Sequence, residues 1–344
     1  MSDHKRDPIL PVFIQNSGCI KRCIFCNQKN ISGGQRELDN TFVSELLEQF
    51  SAKNPGRKAT LAFYGGSFSN LPSELKTSLL TQTQPFTQQG LLSGIRISTT
   101  PESITKEELL FLKGFGVDTI ELGVQTMDDK ILKNCNRNYN EKTVLFATAL
   151  IKKEKVKLGI HLMAGLPGDS FDNTLLSAKK IARLKPDFVR LHPTLVILET
   201  ALQELYEKGQ YTPLTLEEAV EIIASMLKIF YLADINVARV GLHIDEVMKE
   251  KNTIVAGPVH PAFKQLAEGK IYLELFENWL KNHQEQIKEI EIGLGETSNF
   301  TGHKKANIIY FKTKYGIELS GIKENQFLKK YTLLINKVLV KIVD

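Results

Sequence analysis

Three of the four cysteines in the chain fall within eight residues, as Cys19-Ile-Lys-Arg-Cys23-Ile-Phe-Cys26. Thiolates are soft ligands that suit zinc or iron–sulfur chemistry. A structural zinc site usually draws four protein ligands arranged as two pairs. No second Cys-x2-Cys pair follows, so His4 or Cys135 would have to complete it, and neither has ligand-pair spacing. Three thiolates on one loop can instead hold three irons of a [4Fe–4S] cubane, with the fourth iron open to another ligand. Four cysteines in 344 residues exclude a disulfide scaffold, and an odd cluster of thiols points to metal binding in a reducing compartment. Cys135, alone in the sequence, reads as a small buried hydrophobe rather than a nucleophile.

Other residues with chemical capacity stand where short apolar runs end. Phe63-Tyr64-Gly65-Gly66-Ser67 offers paired glycines that let backbone approach a ligand closely. Arg96-Ile-Ser98-Thr99-Thr100-Pro101-Glu102 offers hydroxyls, which equally suit a polar strand end capping the next helix. Further along stand Gln125 and Arg137, then His161 ahead of Gly165-Leu-Pro167-Gly168, then His192 and Thr194. An arginine fork suits a carboxylate because it donates two parallel hydrogen bonds.

The elements that must hold these residues alternate. Strands are expected at Ile9–Gln15, Thr60–Tyr64, Gly94–Thr99, Thr119–Gly123, Leu158–Met163 and Phe188–Leu191. Helices are expected between them at Thr41–Phe50, Ser73–Gln82, Lys106–Phe115, Glu141–Lys152 and Phe171–Leu184. Thr105 precedes an acidic first turn, as a helix start should. Strands separated by helices pair in parallel through right-handed crossovers. The pattern predicts an α/β fold, a (β/α) barrel or a partial barrel of the TIM type, which places chemistry at the C-terminal strand ends. A helix at Leu216–Leu232 and a further strand at Asn236–Val240 follow. Past Gly257-Pro258 helices are expected at Pro261–Gly269 and Tyr272–Gln286. The expected organisation is a core domain over 1–245, a helical connector over 246–287 and a small basic α+β domain over 288–344.

The cysteine segment resembles the signature loop of the radical SAM superfamily, with an aromatic at the position of Phe25. The resemblance implies the partial (β/α)6 form of the barrel. The resemblance implies that the open iron binds the amino and carboxylate groups of S-adenosylmethionine, and that a reductant such as flavodoxin or ferredoxin supplies the electron. It implies cofactor contacts from Gly65 and Gly66 through backbone oxygens. At Ser67 the family usually has an acidic residue, so only the backbone role carries over there. It places Ser98 or Thr99 towards the ribose or the methionine carboxylate. Glu121-Leu-Gly123-Val-Gln125 with Asn136-Arg137 is similar to a stretch shared by oxygen-independent coproporphyrinogen oxidases and the catalytic subunit of Elongator, which implies cofactor proximity for Gln125 and Arg137. His161 and Gly165 resemble the adenine stretch, and a histidine at that position is the Elongator-type choice. His192 and Thr194 are expected on the substrate side. An acetyltransferase domain of the Elongator kind is expected to be absent.

Net charge is +5, too mild to imply a polyanionic partner. The excess lies in the tail, where nine Lys face two Glu between Phe300 and Lys341. Gly302-His303-Lys304-Lys305 resembles the GxxG turn of KH domains without its second glycine, and a helix N-terminus with two lysines can cradle a phosphate. The other reading is a solvated basic helix. No run approaches the ~18 apolar residues of a membrane span, so a cytoplasmic protein is expected. Three functions remain open: a radical enzyme acting on tRNA, on a small metabolite or on a tetrapyrrole; a zinc-containing RNA-binding protein; and an iron–sulfur structural protein.

Overall fold

A computed structural model describes residues 7–32, 38–242, 248, 252–283, 286–319 and 321–342. His4 and the boundary between 245 and 246 lie outside them.

One seven-stranded sheet dominates. It contains β1 (Ile9–Phe13), β2 (Ala59–Tyr64), β3 (Leu92–Thr99), β4 (Val117–Gln125), β5 (Lys157–Ala164) and β6 (Phe188–Pro193). After a short β7 (Val196–Ile197) it is completed by β8 (Asn236–Val240). Every pairing is parallel, and the spatial order follows the chain order. A doubly wound sheet would reverse order at a switch point. Here each right-handed crossover advances in the same sense, so the helices collect on one face and the sheet curls into a half-barrel. The expected six strands become seven because Asn236–Val240 joins β6.

The helices are α1 (Gln28–Ile31), α2 (Phe42–Lys53), α3 (Ser73–Thr81), α4 (Gln84–Gln88), α5 (Lys106–Gly114), α6 (Asp129–Asn134), α7 (Glu141–Lys153), α8 (Phe171–Arg183), α9 (Ala201–Glu207) and α10 (Leu216–Leu232). Their starts follow the sequence chemistry. The Thr105 hydroxyl accepts from the Glu108 amide at 3.1 Å, and Thr215 with Glu218 closes a capping box at the head of α10.

Alternation along the strands separates two faces. Leu61, Phe63, Ile95, Ile97, Ile120, Leu122, Leu158, Ile160, Val189 and Leu191 are buried in the helix-side core. Each such burial contributes about 1.5–3 kcal/mol. The intervening residues, including Tyr64, Arg96, Ser98, Glu121, His161, Arg190, His192 and Arg239, line the concave face. Gly159 belongs there because Phe188 occupies its side: a Cβ would meet the Phe188 ring at 2.3 Å.

Beyond the sheet, β9 (Ile254–Ala256) pairs antiparallel with β7. α11 (Phe263–Asn282) is one helix where the sequence suggested two. Gly269 sits inside it because neighbouring backbone comes close, with the Gly302 Cα 3.5 Å from where a Cβ would stand. The chain ends in β10 (Ile290–Gly293), α12 (Thr297–Thr301), α13 (Ala306–Tyr315), β11 (Ile322–Asn325), β12 (Thr332–Ile335) and β13 (Val338–Lys341), with sheet order β11-β10-β12-β13. This is the expected α+β unit. Its Phe300, Phe311, Leu333 and Ile335 are buried in the same continuous core as the half-barrel. Among the described residues no helix is long and apolar enough to cross a membrane.

Candidate functional site

The cysteine loop leaves the C-terminal end of β1 and is clasped from both sides. The Leu202 amide donates to the Ile24 carbonyl at 2.8 Å and the Ile24 amide to the Cys135 carbonyl at 3.4 Å. Asn136 Nδ2 donates to the Arg22 carbonyl at 2.9 Å, and Asn27 Nδ2 to the Leu198 carbonyl at 3.2 Å. Ile24 and Phe25 pack into two small apolar clusters, one containing Cys135 and Leu166, the other Leu202 and Tyr211. Phe25 is thus an anchor of the loop, and Cys135 is a buried packing residue, as its isolation in sequence suggested. Among the described residues no three His, Cys, Asp or Glu groups gather around a single metal ion.

Each cysteine has a polar contact, at the sulfur for Cys23 and Cys26 and at the backbone for Cys19. Arg137 Nη1 donates to Cys23 Sγ at 2.8 Å, and Gln28 Nε2 approaches Cys26 Sγ at 3.4 Å. The Cys19 amide is held by the Asn16 carbonyl at 3.2 Å. Burial, followed by the neighbouring Cys23, pushes the Cys19 thiol up and the Cys26 thiol up to about 11. Ligand binding at these sulfurs therefore releases protons.

Arg137 is the hub. Besides Cys23 it bonds the Gly123 carbonyl and, through Nε, the Tyr139 hydroxyl at 2.8 Å. Gly123 gives it close passage, since a Cβ would stand 3.1 Å from Gln125 Nε2 and 3.3 Å from Arg137 Nη2 and both side chains would have to shift by a few tenths of an ångström. Gln125 follows a register shift between β4 and β5 and has φ +69°, an unusual backbone region for a residue with a side chain. The irregularity re-aims its amide beside Arg137. Its Oε1 is buried without a partner, as are Glu102 Oε2 and His161 Nε2. Buried polar atoms are normally satisfied, so these three mark places for a ligand. Glu102 lines a cleft with Cys19, Thr100 and Arg137. Sequence alone gives Glu102 no role, since an acid at a helix start needs no ligand to explain it.

The remaining expected residues divide. Gly65 has φ +81°, and Gly66 has no room for a Cβ, which would lie 2.5 Å from the Ser17 carbonyl oxygen. These glycines bind β2's end to the cysteine loop. Ser67 is buried and its hydroxyl is taken by Thr99 at 3.0 Å, Thr100 at 3.2 Å and Asn70 at 3.2 Å. Thr99 points to the helix side, hydrogen-bonded to Ser67 and Ser103, whereas Ser98 lies on the concave face. Gly165 has φ +76° and abuts Leu214, and its carbonyl accepts from Tyr211 at 2.7 Å. The Thr194 hydroxyl ties β6 to the Ala164 carbonyl at 2.8 Å. His192 keeps company with His161, ring centroids 4.3 Å apart. Burial holds both imidazoles neutral, His161 down to about 3.

Deeper on the concave face Glu121 is gripped by Arg96 at 2.8 Å and Arg190 at 3.0 Å, and Tyr64 donates to it at 3.1 Å. None of these four carries a role that the sequence alone assigns.

The tail is less basic than its count. Lys312 pairs with Glu318, Lys314 with Glu277 and Lys330 with Glu268. Gly302–Lys305 lies between α12 and α13, so strand, helix, turn, helix, strand follow in order. Lys304 has φ +52° and Lys305 φ +62°, and Lys305 thus takes the left-handed backbone that a second glycine would supply. His303 is turned inward to Gln265 at 3.2 Å.

Comparison with known proteins supplies the context. The alignment with the tRNA uridine(34) acetyltransferase of Methanocaldococcus jannaschii has 37% identity over 131 residues, covering 37% of this chain and 24% of that protein. Elongator complex protein 3 of Saccharomyces cerevisiae is 26% identical over 191 residues, covering 49% of this chain and 34% of its own. The chain therefore spans between a quarter and about a third of the length of these curated relatives. The structure of the archaeal Methanocaldococcus infernus Elp3 with an N-terminal deletion matches the fold at a TM-score of 0.59 and 20% identity, covering 97% of this chain and 76% of that one. The model described as the Radical SAM superfamily matches residues 14–181, the thiol loop through α8, and that described as the Radical_SAM C-terminal domain matches 186–273. Between them they take in the loop, the rest of the half-barrel beyond β1 and half of α11, and the chain belongs to the radical SAM superfamily.

Proposed function

We propose that this chain is a [4Fe–4S] enzyme that reductively cleaves S-adenosylmethionine to a 5′-deoxyadenosyl radical, with tRNA as its substrate. The observation that carries the reading is the coincidence of the thiol loop with three unpartnered buried polar atoms, Glu102 Oε2, Gln125 Oε1 and His161 Nε2. The donor set fits the group. Cys19, Cys23 and Cys26 supply three thiolates and leave one iron of a cubane open. When bound, the cluster supplies the electron that breaks the sulfonium bond, drawn from a donor such as flavodoxin or ferredoxin.

The protein's own residues orient and exclude. Arg137 sets a fixed positive charge against Cys23 and offsets the charge of a thiolate-ligated cluster. Glu102 supplies an acidic group for an ammonium, the role for which Ser67 lacks both charge and a free hydroxyl. Gln125 and Ser98 present polar atoms to a ribose, and the neutral His161 accepts or donates one hydrogen bond without adding charge. Ile24, Phe25, Cys135 and Leu166 close the outer side against water.

A tRNA substrate is supported by the printed names of the relatives and by Lys304 and Lys305 at an exposed turn. Anaerobic reconstitution with iron and sulfide tests the reading. The expected result is a brown protein that forms 5′-deoxyadenosine after reduction, and a Cys23→Ala variant that does neither. A colourless protein holding one zinc overturns it in favour of the non-redox alternative.

A further inference from the structure

The network on the concave face holds one carboxylate among the described residues, Glu121, and it is already shared by Arg96 and Arg190. A third guanidinium, Arg239 on β8, is the direct register partner of Arg190 on β6. Parallel neighbours in register project to the same side, so two like charges stand side by side. Arg239 forms no ion pair among the described residues; its side chain is largely exposed, and partial burial of the guanidinium, followed by Arg190, lowers its pKa from the usual value. A cation on an open helix surface carries no such penalty. This one is in line with another cation.

A second, independent feature lies one step along the same strands. His192 is two residues after Arg190, on the same face, and packs edge-on against His161. The Nε2 atoms of both rings are buried and unpartnered. Arg239, the part of the Arg190 guanidinium that Glu121 and Tyr64 leave free and the unpartnered His192 Nε2 form a patch in which cations outnumber carboxylates. Such a patch is complementary to an oxyanion, and the guanidinium fork fits a carboxylate or phosphate in two-point geometry. The cofactor's own carboxylate does not account for it: Arg137 serves the thiol loop from the end of α6, whereas Arg190 and Arg239 are on the last two strands.

We propose that Arg190 and Arg239, with His192 beside them, form a binding site for an oxyanion of the substrate, a carboxylate or phosphate group borne by the molecule on which the radical acts. The identity of the bearer rests on the reading under Proposed function. The anion site itself stands on the geometry of β5, β6 and β8.

The test uses the full chain without cluster, kept reduced. Thermal unfolding is followed while sodium phosphate, or separately sodium acetate, replaces sodium chloride at constant ionic strength. One of the two is expected to raise the midpoint saturably above the chloride value, phosphate first for a phosphate ester and acetate first for a carboxylate. Arg239→Gln should weaken that response at least about tenfold, the scale of one lost charge-assisted contact, and Arg239→Lys should recover part of it. No response beyond chloride, or an undiminished response in folded Arg239→Gln, overturns the site. Arginine Nε resonances of the wild-type protein give the same answer without a variant, because phosphate or acetate must perturb them. Formation of 5′-deoxyadenosine by the reconstituted enzyme is scored separately. An anion response without deoxyadenosine removes the radical reading alone, and the reverse removes the anion site alone.

Discussion

Arg137 and Cys23 lie 114 residues apart in sequence and touch, the guanidinium Nη1 donating to the sulfur at 2.8 Å. The arginine's other branches are fixed by Gly123 and Tyr139, so it is a rigid strut between β4 and the thiol loop. Arg137→Ala should retain less iron and sulfide after reconstitution and lose on the order of 2–4 kcal/mol, since it leaves buried acceptors unsatisfied. Arg137→Lys keeps the charge but not the fork and should fall between. Iron content and urea unfolding measure both effects. Wild-type iron in Arg137→Ala would show that the strut is dispensable for the cluster.

Glu121 joins two arginines, with side-chain exposures of 6% for the glutamate, 18% for Arg96 and 17% for Arg190. Removing its charge leaves those cations facing one another. Glu121→Gln should cost on the order of 3 kcal/mol, read as a lower urea midpoint at unchanged m-value. A variant within 0.5 kcal/mol of wild type, the ~0.5 kcal/mol scale of a surface change, contradicts this account.

Stability should depend on pH through two half-buried imidazoles whose Nε2 atoms are shut off from solvent. His161 is held neutral, its folded value down to about 3, while an unfolded histidine titrates near ~6.5. Between those values the unfolded chain binds the extra proton, so stability is complete above the unfolded value and declines as pH falls towards the folded one. His192 acts in the same direction. Replacing His161 with Gln should flatten the acid limb of the midpoint-against-pH curve relative to wild type. An unchanged limb would mean that the imidazole is protonated in the native state.

Lys304 and Lys305 stand at the turn between α12 and α13, while Lys312, Lys314 and Lys330 after them are paired with glutamates. If the turn holds RNA backbone, changing both to Glu should weaken tRNA binding and reduce the logarithmic salt slope by about 2, ~1 per lost phosphate contact. Lys305→Gly should not unfold the unit, because φ +62° suits glycine better than lysine. A salt slope unaffected by the double change places RNA contact elsewhere.

Much of this architecture was legible in local patterns. α10 has the boundaries expected from its capping box and apolar spacing, and each expected strand exists within a few residues. The strands extend further than expected at their polar ends, as at Gln125 and Pro193, because pairing with neighbours continues after the apolar run stops. Gly269 looked like a helix end and is an interior contact, since only the fold reveals what approaches it. Of the site, the thiol loop, Gln125, Arg137 and His161 were visible as motifs. Glu121, Arg190 and Arg239 were not. Each is a charge whose partner is on another strand, and only parallel register and sheet curvature bring them together.

The sheet order runs from β1 to β8, and among the described residues no pairing closes it. A closed barrel would admit only what passes through its rim, and molecular girth would decide entry. An unclosed one is a trough whose sheet ends, among the described residues, at the strand that carries Arg239. What it can discriminate is reach: how far a group projects from its carrier before meeting the arginines, and not how large the carrier is.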